Sequence, residues 1–374
     1  MGYVLISFLS WLILRFLVLR RLPCGRPART VLSCLFFLPI LYYAYLQASC
    51  FIVLPEPSFG TAILMGAWCG TVLIAAPPAS AGVLCLMRFG RKKSMRRVGA
   101  GACLIFSLFF SSVLVLCGLR EGLSVPSVQE VSVNLPAGCD ALDGIRMAVI
   151  SDLHLGCATP PGWLEETLRR IKEARADIIL LDGDLSDGRP EDRRSDLARL
   201  GTLEAPFGVW AVPGNHEYYV DYAGIMAALP DSVHVLANSH ARLRTSLGTF
   251  VLAGVMDRKA RARGLPGPDI EKALSGLSGD GAIGPVLLMS HRPAGWSRNA
   301  ARGVVLQICG HTHGGQFIWN RLFLRLIGRR YLHGLFERNS SLLWVGSGAS
   351  QWFGFPLRVG VPPEIAVLNL HAGS

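Results

Sequence analysis

Five of the nine histidines in this chain fall in short polar clusters shared with aspartate, asparagine and glycine. The clusters read Asp152-Leu153-His154, Gly183-Asp184, Gly214-Asn215-His216-Glu217, His291, and Gly310-His311-Thr312-His313-Gly314-Gly315-Gln316. A donor set of carboxylate, imidazole and amide is neither soft sulfur nor all oxygen, and it suits divalent Mn, Fe, Co or Zn. In Asp-x-His and His-x-His the outer residues point to the same side of an extended chain, so both can reach one metal cluster. The glycines let the backbone turn sharply beside such a cluster and leave room for a substrate. Each piece alone is weak, since Asp-x-His, Gly-Asp and Gly-Asn-His-Glu are ordinary turn sequences and a lone histidine after a strand is commonly a satisfied polar residue. The ordered set of five is far more specific than any member.

These clusters need elements to deliver them. Apolar and β-branched runs predict strands over 145–151, 178–182, 208–212, 250–255, 286–290, 304–309, 342–346 and 365–370. Five of these runs each end in one of the polar clusters. In α/β folds the carboxyl edge of the strands is where ligand sites assemble. Several runs are continuously apolar, as expected of strands covered on both faces. Residues 163–174 read WLEETLRRIKEA, with Leu164, Leu168 and Ile171 at helical spacing, and predict an amphipathic helix. Helices are also expected over 192–200 and 269–277, and an exposed loop over 258–268.

The remainder of the chain has a different composition. Of 374 residues, 51% are apolar and 17% charged, which tilts the chain toward a membrane protein and excludes a disordered or collagen-like one. Four apolar runs, 3–19, 31–54, 61–87 and 98–119, approach or exceed the ~20 residues that cross a hydrocarbon core, so four membrane helices are expected. Arg15 interrupts the first, close enough to its end to reach the headgroups, and Pro77 and Pro78 are expected to kink the third. A cleaved signal peptide is the competing reading of the first run, but no Lys or Arg precedes it.

The net charge of +11 is concentrated in this part: residues 1–126 hold 12 Lys and Arg against Glu56 and Glu121 alone. The charge therefore reads as membrane topology, and no nucleic-acid partner is expected. Arg20, Arg21, Arg26 and Arg29 lie in the first connection, and Arg88 to Arg97 in the third, which assigns both to the cytoplasm and the C-terminal part to the other side. Seven of the ten cysteines lie in or beside the apolar runs; Cys139, Cys157 and Cys309 remain, with no pattern of a disulfide framework or a thiolate metal site.

With the clusters, their order and their strand ends in view, the chain resembles the calcineurin-like metallophosphoesterase superfamily, whose ordered signature is DxH, GD, GNH, H and GHxH. The leading apolar runs, the GHTHGGQ form and the stretch Pro362-Pro363-Glu364-Ile365 resemble its branch of transmembrane proteins with a metallophosphoesterase domain. The resemblance implies an N-terminal membrane region over 1–126 and, over 127–374, an αββα four-layer sandwich with a two-metal centre. It implies that Asp152, His154, Asp184 and His313 hold one divalent ion and that Asp184, Asn215, His291 and His311 hold the other. His216 becomes the catalytic histidine. Glu217 stands where many members have Asp and is expected to affect only the orientation of His216. Asp187 fits the GDxxD extension and is expected to support ligands, not to be one. Arg292 reads equally well as a phosphate contact or as a solvated surface residue.

The activity implied is hydrolysis of a phosphodiester, phosphomonoester or pyrophosphate. Tethering to the bilayer favours a lipid-linked phosphate, similar to the substrate of UDP-diacylglucosamine pyrophosphatases, although that substrate lies on the cytoplasmic face. The alternative is a non-catalytic, metal-bound binding or sensor module of the same fold. Trp352, Phe353, Gly354 and Phe355 are candidates for lining an acyl groove, with core packing the plainer explanation. A transporter is disfavoured, because Arg15 is the one ionisable residue inside the runs.

Overall fold

The structure is a computed structural model describing residues 2–48, 56–90, 92–277, 284–352 and 355–373. The chain divides into two compact units, one comprising Met1–Glu121 with Gly354–Leu357 and the other Gly122–Phe353 with Arg358–Ser374.

The first unit is helical. It contains α1 (Gly2–Ile13), α2 (Arg26–Ala48), α3 (Phe59–Phe89) and α4 (Lys93–Gly122). Among the described residues three helices, α2 to α4, are long and apolar enough to cross a membrane. This is one fewer than composition leads one to expect. The first run instead forms a regular helix of 12 residues and continues through a π turn and a tight 3-10 turn to Arg21, short of the ~20 regular residues a span needs. Helix α3 continues through Pro77 and Pro78. Small residues let the helices approach: a Cβ placed on Gly82 would come 2.6 Å from the sulfur of Cys103.

The second unit is a mixed α/β domain. In chain order it contains β1 (Ser127–Ala137), β2 (Arg146–Ile150), α5 (Trp163–Glu173), β3 (Ile178–Asp182), α6 (Pro190–Ala198), β4 (Val209–Val212), α7 (Tyr222–Ala227), β5 (Val233–Val235), β6 (Ser239–Thr245) and β7 (Gly248–Gly254). It continues with α8 (Ile270–Ala273), β8 (Val286–Met289), α9 (Trp296–Ala300), β9 (Val304–Cys309), α10 (Ile318–Leu326), β10 (Gly334–Arg338), β11 (Ser341–Val345) and β12 (Glu364–Gly373). Two six-stranded sheets result, in the orders β1-β12-β2-β3-β4-β5 and β10-β11-β9-β8-β7-β6. Strands β2 to β5 are mutually parallel, as are β7, β8, β9 and β11.

Alternation along the strands builds the layers. Ile178 and Leu180 of β3 point into a core that also holds Leu252, Leu287, Met289 and Ile308 of the other sheet. Ile179 and Leu181 point the opposite way, onto Leu164, Leu168 and Ile171 of α5. On the far side Val251 and Leu288 meet Ala273 of α8 and Leu277. The order is helix, sheet, sheet, helix: the expected αββα sandwich. Both strand faces are covered, which is why the parallel strands are continuously apolar. Segment 258–268, expected to be a loop, opens as a short 3-10 helix, Arg258–Arg263, capped by Asp257.

Candidate metal centre

All five polar clusters emerge at the carboxyl ends of parallel strands: Asp152 and His154 beyond β2, Asp184 beyond β3, Asn215 and His216 beyond β4, His291 beyond β8, and His311 and His313 beyond β9. The backbone there is unusual. Asp152, His154, Asp184, His311 and His313 all have positive φ, between 42° and 67°, a region that L residues other than Asn, Asp and Gly seldom occupy. Strain concentrated on these side chains marks a functional site. Gly183 takes φ 77°, and a Cβ there would lie 2.6 Å from the Gly214 nitrogen and 2.8 Å from His291 Nδ1. Only glycine lets these loops pack.

The strand ends bring the donors together. Asp152, His154 and His313 form one triad of ligand atoms within 4.8 Å of one another; Asp184, His291 and His311 form another, and His154, Asp184 and His216 a third. His313 Nε2 lies 3.3 Å from Asp152 Oδ1, and His291 Nε2 lies 3.0 Å from Asp184 Oδ2. His154 Nε2 and His216 Nε2 lie 3.8 and 3.9 Å from the same Asp184 oxygen. All these residues are buried except His311, which is half-buried.

Tautomers are set from behind. His291 Nδ1 donates to the Asp182 carbonyl at 2.7 Å and His154 Nδ1 to Asp187 Oδ1 at 3.2 Å, while His313 Nδ1 lies 3.2 Å from the Ser350 carbonyl and 3.3 Å from Arg358 Nη2. In the neutral rings of His291 and His154 each Nε2 is thereby left to point a lone pair inward. His154 and His313 face each other Nε2 to Nε2 at 3.2 Å, an arrangement that requires a proton or a cation between them. Buried carboxylates and imidazoles converging in this way fit divalent cations.

Electrostatics agree. Burial opposes charge on His154, but the Asp187, Asp184 and Asp152 carboxylates outweigh it and hold the imidazolium up to about 9. His291 is raised in the same way by Asp184, against burial. Burial would raise Asp184, yet His291, His216 and His154 hold it well below the usual carboxylate range. Asp187 is likewise held low by His154 and His216, against burial. Burial depresses His311, helped by His291 and Arg292, and depresses His313, helped by His154 and Arg358.

Several residues play parts that motif spacing did not show. The Glu217 carboxylate accepts from the backbone nitrogens of Gly214 at 2.7 Å, Leu185 at 2.7 Å and Asp184 at 3.1 Å, fastening two ligand loops together. His216 is oriented by Asp187, whose Oδ1 lies 2.5 Å from His216 Nδ1. Arg292 is not a solvated surface residue: it donates to Asp257 Oδ2 at 2.5 Å, to Asn215 Oδ1 at 2.6 Å and to His311 Nε2. Its guanidinium supplies positive charge at the Asn215 and His311 end of the cluster, bordering a cleft of about 420 Å³ also lined by Arg258, Arg329 and Arg330. Arg358, fully buried, donates to the Ser347 carbonyl at 2.8 Å beside His313; no motif announced it. Phe353 and Gly354 lie outside the described residues, while the Trp352 nitrogen donates to Gln316 at 3.1 Å and Phe355 packs on Tyr43. Cys139 and Cys309 are buried free thiols.

The chain is similar in sequence to several known proteins. An uncharacterized metallophosphoesterase of Helicobacter pylori strain 26695 is 34% identical over 68% of this chain and 66% of its own length. The transmembrane protein with metallophosphoesterase domain of Danio rerio is 28% identical over 76% of this chain and 68% of its own. The chain thus spans just under two thirds of the H. pylori relative. Among solved structures, a 5'-nucleotidase precursor from Thermus thermophilus aligns with a TM-score of 0.37 at 13% identity, over 60% of this chain and 54% of that one. Residues 145–315, the segment that runs from the first ligand strand to the last glycine of the His311 loop, match the family described as calcineurin-like phosphoesterase, and the chain belongs to that family.

Proposed function

We propose that the protein is a membrane-anchored, two-metal phosphoesterase, with a membrane region over residues 1–126 and a catalytic domain over 127–374. The observation that carries this reading is the convergence of donor triads that share Asp184 and His154 in one buried pocket. Asp152, His154, Asp184 and His313 would hold one cation, and Asp184, Asn215, His291 and His311 the other, with Asp184 common to both. Mn, Fe, Zn or Co all suit these donors. When bound, such ions supply Lewis acidity toward a phosphoryl group and activation of water.

The chain's own residues do the rest. Asp187 fixes the His216 ring through Nδ1, and the doubly protonated ring would carry on Nε2 the proton for the departing oxygen, a role worth ~10²- to 10⁴-fold. Arg292, anchored by buried Asp257, presents fork-shaped donors for phosphoryl oxygens at the rim. Glu217 and Gly183 hold the loops in register.

The substrate class is a phosphodiester, phosphomonoester or pyrophosphate, and anchoring favours one linked to lipid. The arginines before α2 and between α3 and α4 favour a cytoplasmic location for both segments, whether or not α1 spans. The catalytic domain then lies on the extracytoplasmic side, away from cytoplasmic UDP-linked lipids.

Full-length protein in detergent, assayed with Mn²⁺ against bis-p-nitrophenyl phosphate, a phosphomonoester and a lipid pyrophosphate, tests the reading. Metal-dependent turnover of at least one is expected. Metal binding without turnover on any would favour the binding or sensor module. A reporter active on only one side of the membrane, fused after residue 373, tests the orientation.

A further inference from the structure

Helix α10 is built inside out. Ile318, Leu322 and Leu326 recur at four-residue spacing, as do Trp319, Phe323 and Ile327, and together they form one apolar face about half a turn wide. That face points away from the protein: Leu322 is 56%, Phe323 57% and Leu326 86% exposed, and no residue of the helix is buried. The inward side carries Asn320, Arg321 and Leu324, which are half-buried. A helix that merely covers a domain would bury the first face and show the second. Exposed apolar surface gathered in this way marks an interaction site.

The charge around the face says what the partner is. Residues 318–330 hold Arg321, Arg325, Arg329 and Arg330 and no acid. Arg325, Arg329 and Arg330 are exposed along the helix and just beyond its end, and the ring of Trp319 lies on the apolar side. Apolar side chains with an aromatic ring, rimmed by arginine, have the composition of a helix that lies in the plane of an anionic membrane surface. The same chain carries three helices fit to cross a bilayer, so a bilayer surface is within the protein's surroundings.

We propose that α10 is an interfacial helix: its apolar face enters the headgroup and upper acyl region of an anionic bilayer while Arg325, Arg329 and Arg330 contact lipid phosphates. The helix is tied to the metal centre. It begins five positions after His313; Asn320 Nδ2 donates to the Gly315 carbonyl at 2.8 Å, and the Ile318 nitrogen to the Val359 carbonyl at 3.0 Å. Docking α10 therefore brings the His311 to Gly315 loop to within about one helix diameter, ~10 Å, of the headgroups. Phosphoryl groups of the bilayer itself would then be within reach of the site. Docking does not depend on turnover, so the proposal survives or falls apart from the hydrolase reading.

The test uses full-length protein in nanodiscs whose lipids carry bromine high on the acyl chain, with either phosphatidylglycerol or phosphatidylcholine headgroups. The emission lost in Trp319→Phe isolates Trp319. In phosphatidylglycerol discs that component should be quenched at least about twofold more strongly than in phosphatidylcholine discs. The double variant Phe323→Asp, Leu326→Asp, altered only at exposed positions, should abolish the quenching while retaining turnover of soluble bis-p-nitrophenyl phosphate. A Trp319 component unquenched in both discs would overturn the proposal, as would shielding that appears only when two copies share a disc, which would assign the face to a second copy of the chain.

Discussion

Replacing Asp187 by asparagine separates orientation from ligation. Asp187 Oδ1 accepts from His216 Nδ1 at 2.5 Å and from His154 Nδ1 at 3.2 Å, with the carboxylate only 13% exposed. Hydrogen bonds to charged groups contribute roughly 1.5–3 kcal/mol, with the short contact at the upper end and the long one at the lower. Asparagine keeps the volume and one oxygen acceptor but removes the charge, which halves such bonds, so the loss is about 1.5–2.5 kcal/mol. That corresponds to a ten- to roughly seventyfold fall in kcat. A second effect follows from His154. Once its largest carboxylate partner is gone, its pKa should fall from about 9, so the rise of metal uptake with pH should begin at lower pH. The assay is kcat on bis-p-nitrophenyl phosphate beside metal content by plasma mass spectrometry, across pH 5 to 10. Turnover within about twofold of wild type at equal metal content would refute the assignment of Asp187 as the group that positions His216.

Three further outcomes are expected. His216→Ala should keep its metals and lose ~10²- to 10⁴-fold in kcat; loss of metal together with activity would show that His216 is a ligand. Gly183→Ala forces a Cβ to within 2.6 Å of the Gly214 nitrogen at a positive φ, so metal affinity should fall and the melting temperature drop by several degrees, the scale of a ~1–3 kcal/mol strain. In the metal-free protein, His154 and His291 are raised above their ordinary 6.5, so their contribution is complete below about 6.5 and fades as pH climbs toward 9. His311 and His313 are depressed, so stability also falls as pH drops below 6.5, and Asp184 and Asp187 add to that loss below about 4. Melts after chelation should therefore peak near pH 6.5; a flat profile from pH 5 to 9 would contradict the charge arrangement.

What the sequence made legible follows from burial. The interior parallel strands, such as β3 and β9, are covered on both faces and read as apolar runs. The four strands that periodicity did not find, β1, β5, β6 and β10, are the four edges of the two sheets. An edge strand has polar or exposed neighbours and needs no apolar run: β6 reads SHARLRT, and β10 reads GLFER. The same distinction holds at the site. The eight residues of the ordered clusters lie together because each follows an interior strand that could be read. Asp257 and Arg358 act from loops with no motif, and their tasks appear only once the loops are folded. Glu217, which the family resemblance ties only to the orientation of His216, also turns its carboxylate onto three backbone nitrogens, a task that appears only in the folded loops. Composition found the apolar runs but not the regularity of the first, which breaks after Ile13.

The most direct test of the central claim is metal stoichiometry in full-length protein and in Asp184→Asn, measured after reconstitution with Mn²⁺ and gel filtration. Asp184 Oδ2 lies 3.0, 3.8 and 3.9 Å from the Nε2 atoms of His291, His154 and His216, so two ions per chain are expected in the wild type and close to none in the variant, with turnover lost in parallel. Two ions retained by Asp184→Asn, or none bound by the wild type, would contradict the account.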